Sequence, residues 1–161
     1  MSAKTVAAVV ALFALCTSAN GAHAQSRPPT AAEIKLLQDC AAAHREDDEG
    51  ELKCAFKLVA DPCIKSEGGS NLGTADCYRI EAEAWDRLLN DNYREVLGQL
   101  DDKEQKDKAR EMQRAWIASR DASCGFFRHK IRGSMAVPLG AACYLRETAR
   151  RALFLAFLTG V

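Results

Sequence analysis

The side chains with the most chemistry to offer are the cysteines. Six of the seven follow residue 24: Cys40, Cys54, Cys63, Cys77, Cys124 and Cys143. An even set in a small exported chain reads as a disulfide framework. Six cysteines allow fifteen pairings, and spacing does not choose among them. Joining neighbours, as Cys40–Cys54, Cys63–Cys77 and Cys124–Cys143, is the simplest expectation. Each such loop would stabilise by roughly 2–4 kcal/mol, mostly through the unfolded chain. Zinc is not expected, because there is no C-x-x-C and no matching histidine pair. His44 and His129 lie beside no pattern that suggests a nucleophile. The Gly/Ser/Asn stretch 66–73 lacks the Gly-Lys-Ser/Thr of a phosphate loop. The acidic run 46–49 lacks Ca²⁺-loop spacing and reads as a solvated turn. No catalytic, cofactor or metal residue is therefore expected, and no enzyme.

The N-terminus supplies the exported context. Lys4 precedes an apolar stretch at 6–16, and Ala22-His23-Ala24 is an A-x-A cleavage pattern. About a dozen apolar residues are too few for a membrane span of roughly 20. Residues 1–24 read as a signal peptide cut after Ala24. Leu15 before Cys16 argues against lipidation. No later stretch reads as a membrane span. Lys plus Arg equals Asp plus Glu, at 22 each, so the basic footprint of a nucleic-acid binder is absent. The expected organisation is 1–24 signal peptide, 25–52 leader and helix, and 53–161 helical domain, in the periplasm or secreted.

Helical periodicity runs through the rest. After a mobile leader at 25–30, Thr30 and Glu33 form a capping box. Ile34, Leu37 and Ala41 then mark one face of a helix ending near His44. A short helical piece is expected at 52–60, broken by Asp61-Pro62. The stretch 66–73 reads as a loop. Trp85, Leu88, Leu89, Tyr93, Val96, Leu97 and Leu100 recur at spacings of three and four, which predicts a helix over 74–100. Asp101-Asp102 forms a turn and caps a helix from 103 to about 124, with Ala109, Met112, Trp116 and Ser119 inward. A loose connection containing Gly125, Gly133, Pro138 and Gly140 leads to a last helix at 141–158. No strand is visible. The fold class is all-α: a disulfide-stapled helical hairpin or bundle.

Polar residues on these helices form patterns of their own. Asp86, Leu89, Asn90 and Tyr93 lie on the long helix. Gln113, Arg114, Trp116, Arg120, Asp121 and Cys124 lie on the next. Cys143, Thr148, Arg151 and Leu153 lie on the last. Together these motifs resemble the LprI-type lysozyme-inhibitor family of exported bacterial proteins, over roughly 54–158. The segment 25–52, with Cys40, lies outside the resemblance. Asp86, Asn90 and Tyr93 fall close to one helix face, and Gln113, Trp116 and Arg120 do the same on the following helix. A hairpin would bring them together. A paired polar core that fixes register is the structural reading, and a partner-binding surface is the functional one.

The resemblance implies a protein that binds a lysozyme and occludes a cleft holding two catalytic carboxylates. The surfaces available for this are the 66–73 loop, the 128–138 loop with His129, Lys130 and Arg132, and the acidic segment 46–51. The alternative is a non-catalytic envelope module that binds another protein or cell-wall material.

Overall fold

The computed structural model describes residues 27–45, 50–67 and 69–160. The expected signal peptide and the acidic run 46–49 lie outside them. The described residues form seven helices and no strand: α1 (Ala31–Ala43), α2 (Gly50–Cys54), α3 (Ala60–Glu67), α4 (Asn71–Gln99), α5 (Lys103–Gly125), α6 (Phe127–Lys130) and α7 (Ala136–Leu158). The chain is all-α. Disulfides join Cys40 to Cys54, Cys63 to Cys77 and Cys124 to Cys143. Among the described residues no helix is long and apolar enough to cross a membrane.

Local chemistry sets most helix starts. The Thr30 hydroxyl accepts from Glu33 N at 3.2 Å, and Glu33 accepts from Thr30 N at 2.7 Å. This box closes two of the free amides of the first turn. The described part of the leader, 27–30, is held, not loose: Arg27 donates to both oxygens of Glu33 at 3.0 and 2.7 Å, and Pro29 is buried. Hydrogen bonding from Arg27, foremost, lowers the Glu33 pKa to about 2. Ser70 caps α4 by accepting from Gly73 N, and Asp102 caps α5 by accepting from Glu104 N.

Several boundaries differ from expectation. Asp61-Pro62 does not break a helix; it opens α3. A proline in a first turn removes no helical hydrogen bond. The helical piece before it is confined to α2, and residues 55–59 form a turn in which Phe56 has φ +70°. The 66–73 segment is largely the end of α3 and the start of α4. The loose connection after α5 is mostly ordered, because α6 forms within it and α7 begins at Ala136 with Pro138 in its first turn. Ser119 is exposed, not inward.

The larger correction concerns pairing. Successive helices α4 and α5 were expected to form the hairpin. The most extensive interface is instead between α4 and α7, while α5 packs on α7 and α6. Asn71 donates to Ser134, Asn92 to the Ala152 carbonyl and Gln99 to the Thr159 carbonyl, so α4 and α7 run parallel. The helix between them is the antiparallel return. The reason is composition: α5 buries only Ala109, Gln113 and Cys124, too little to cover the α4 stripe. By contrast, α7 brings Leu145, Ala149, Ala152 and Leu155, whose alanines let the helix axes approach. The core is therefore Trp85, Ile80, Leu88 and Leu89 against those residues, closed at one side by Leu37 of α1.

Candidate functional site

Glu81 is fully buried on α4. Its Oε1 accepts from Phe56 N at 2.7 Å and Trp85 Nε1 at 3.1 Å, and its Oε2 from Ala60 N at 2.8 Å. One carboxylate thus ties down the positive-φ turn and caps α3 across the core. Burial pushes its pKa above the usual glutamate range, against the pull of these donors. The sequence reading missed this residue. Its signal was position: Glu81 stands on the line of Cys77, Trp85 and Leu88, an acid on an apolar stripe.

The motif residues separate into two groups. On α4, Asn90 donates to the Asp86 carbonyl at 2.8 Å and to its carboxylate at 2.9 Å, at the edge facing solvent. Leu89 is core. Neither Asp86 nor Asn90 joins the α5 residues, because α5 does not lie along α4. Arg114 is exposed.

The second group gathers between α5 and α7. Gln113 is buried and accepts from Arg151 Nε at 2.9 Å. The Arg151 guanidinium lies 5.5 Å from the Trp116 ring centre and 5.1 Å from that of Phe154. Arg120 lies 4.8 Å from Trp116 and 5.3 Å from Tyr144. Trp116 therefore holds two cations at its ring. Arg120 also donates to Asp121 at 3.0 Å and reaches the Thr148 hydroxyl at 3.5 Å, while that hydroxyl donates to the Tyr144 carbonyl at 2.7 Å. Arg151 is 8% exposed, and its Nη2 has no hydrogen-bond partner among the described residues. Burial lowers its pKa, and Tyr93 acts electrostatically in the opposite sense. Arginines remain protonated and Asp121 is engaged, so the cluster offers positive charge and donors. That is chemistry for holding helices or anions, not for moving protons.

A third feature is the corner at α6. Phe126 is 59% exposed, and Arg128, His129, Lys130 and Arg132 are exposed beside it. No Asp or Glu occurs between Asp121 and Glu147. This is the 128–138 surface of the sequence reading, rigid now on its α6 side.

Two clusters bring three potential ligand atoms within 4.8 Å: Cys40, His44 and Cys54, and Cys63, Glu67 and Cys77. Each is a disulfide with one neighbour, and a disulfide has no thiolate to give a metal.

The family model described as Lysozyme inhibitor LprI matches residues 63–155. The chain belongs to the LprI lysozyme-inhibitor family. No curated protein and no solved structure matches it. The LprI match takes in α4, α5, α6 and most of α7, two of the three disulfides, and every residue of the Trp116 cluster. It begins after α1 and α2, so the Cys40–Cys54 bond lies outside the matched region.

Proposed function

We propose that this protein binds a lysozyme outside the cytoplasm and blocks its peptidoglycan-cleaving cleft without catalysing a reaction itself. The observation that carries this reading is the LprI family match over residues 63–155. Three disulfides in a chain of this size suit an oxidising compartment, and they favour a rigid surface that loses little entropy on binding.

Of the surfaces available, the α6 corner fits the task best. Its exposed Phe126 supplies an apolar anchor, and Lys130 and Arg132 supply cations with no acidic neighbour in sequence. A cleft that works through two carboxylates is complementary to such a point. The acidic alternative is weaker. Glu51 is already engaged by Arg150, and Arg146 lies 4.0 Å away. The 66–73 stretch is mostly helix.

The test is titration of the oxidised protein against a panel of lysozymes hydrolysing peptidoglycan, with binding measured directly. Saturable binding and dose-dependent inhibition are expected for at least one lysozyme. Lys130→Glu with Arg132→Glu should weaken both by about tenfold or more. A folded, helical protein that neither binds nor inhibits any member of the panel would overturn the reading.

A further inference from the structure

A pocket of about 240 Å³ lies where α4, the α5–α6 junction and the start of α7 meet. It shares Tyr144 with the Trp116 cluster and Arg128 with the α6 corner, but Trp116, Lys130 and Arg132 do not line it. Its floor is aliphatic, from Ala82, Ala136 and Ala141, with the Tyr144 ring at one side, and Arg79 and Arg128 also line it. Arg79 is ion-paired with Asp76. Arg128 makes no hydrogen bond or ion pair among the described residues. Its Nη2 lies 4.0 Å from where a Gly125 Cβ would stand, and a Gly140 Cβ would stand 3.6 Å from the Cys124 carbonyl. Both distances are ordinary van der Waals contacts.

We propose that this pocket binds the carboxylate end of a peptide whose last residue is alanine-sized. Size argues first. Pockets that enclose a whole drug-sized ligand run to roughly 300–1,000 Å³, so this one accepts an end group. Charge argues second. An arginine without a partner beside an apolar floor suits a group with two oxygens at one end and a methyl at the other. A phosphate would carry further oxygens onto an alanine floor that has no donors for them. A free amino acid would bring an ammonium group against arginines, with Asp76 already taken. An acylated chain end has neither fault. Unlinked peptide stems of a peptidoglycan network and protein C-termini both present such an end. The proposal stands apart from the lysozyme reading, which rests on the family match and on Lys130 and Arg132.

The experiment is a ¹H–¹⁵N titration of the full protein with N-acetyl-alanyl-alanine, as the D,D and the L,L compound. Controls are the C-terminal amides, free alanine and inorganic phosphate. Saturable shifts are expected at Gly125, Gly140 and Ala141 with a Kd of about 1 mM, the scale of a single small contact. Amides and free alanine should give none. Arg128→Ala should weaken binding about tenfold, and Arg128→Lys less, since a lysine keeps the charge but loses the paired donors. Preference for the D,D compound would assign the source to peptide stems, and preference for L,L to protein ends. Equal shifts from the amides, equal binding of phosphate, or no saturation by any chain end would overturn the proposal.

Discussion

Replacing Glu81 by glutamine keeps the shape of the side chain and changes one thing. The atom facing Ala60 N becomes a donor instead of an acceptor. The Oε1 position can keep its contacts to Phe56 N and Trp85 Nε1, at 2.7 and 3.1 Å, but the 2.8 Å bond to Ala60 N is lost. A hydrogen bond to a charged group contributes about 1.5–3 kcal/mol, and a buried amide left without a partner adds its desolvation cost. Glu81→Gln should therefore cost about 2–3 kcal/mol. Glu81→Ala removes all three bonds and should cost about 4–6 kcal/mol, a large share of a typical 5–15 kcal/mol total. The flanking disulfides do not replace this role. Cys40–Cys54 and Cys63–Cys77 restrict the chain on either side of the turn but offer no acceptor to its amides. Urea unfolding at neutral pH, with midpoint and slope both fitted, measures the effect. Hydrogen exchange at Phe56 and Ala60 measures it locally. A Glu81→Gln protein as stable as the parent, with both amides still protected, would refute the reasoning: the carboxyl would then already be neutral, or the turn would be held by something else.

Four further outcomes are expected. Arg151→Lys keeps a cation but loses the flat group between Trp116 and Phe154 and the fixed donor to Gln113, and should lower stability by about 1–2 kcal/mol with a change in Trp116 fluorescence; unchanged stability and emission would remove the cluster's structural role. Thr30→Ala should cost about 1 kcal/mol through the lost cap. The Glu33 carboxyl titrates lower folded than unfolded, so its stabilisation is present above its unfolded pKa of about 4.3 and disappears as pH falls through about 2; Glu33→Gln should flatten that part of the pH–stability curve, and an identical curve would deny the Arg27–Glu33 pair its effect. Replacing Cys124 and Cys143 together by serine opens a loop with a sequence separation of 19 and should cost about 3 kcal/mol by loop-closure entropy, read from the urea midpoint.

Much of the helical architecture was legible in the residues. The Thr30–Glu33 box, the Asp102 cap and the stripe from Trp85 to Val96 are local patterns, and each depends on neighbours within one or two turns. Proline misled where its position was read without its helix. Asp61-Pro62 and Pro138 both occupy first turns, where the missing N–H is not used, so each opens a helix where a break or loop was expected. Among the motif residues, spacing grouped Gln113 with Trp116 and Arg120 on one face but could not say what they would meet. They meet Thr148 and Arg151 of α7, while Asp86 and Asn90 are left with each other.

Periodicity records which face of a helix is apolar; it does not record which other face will cover it. That choice depends on comparing every stripe in the chain at once. Here α5 follows α4 immediately yet carries too little apolar surface to cover it, so the core goes to α7, some forty residues further on and parallel in direction. Glu81 has the same explanation. An isolated acid on an apolar stripe is a fault by local rules, and only the folded chain brings the Phe56 and Ala60 amides to it. The residues by themselves determined that this chain is helical, where its main helices run, and that its motifs resemble one family. Tertiary structure decided which helices pair, which polar groups are satisfied and where a pocket stays open, because burial and hydrogen bonding between distant residues are properties of the assembled core.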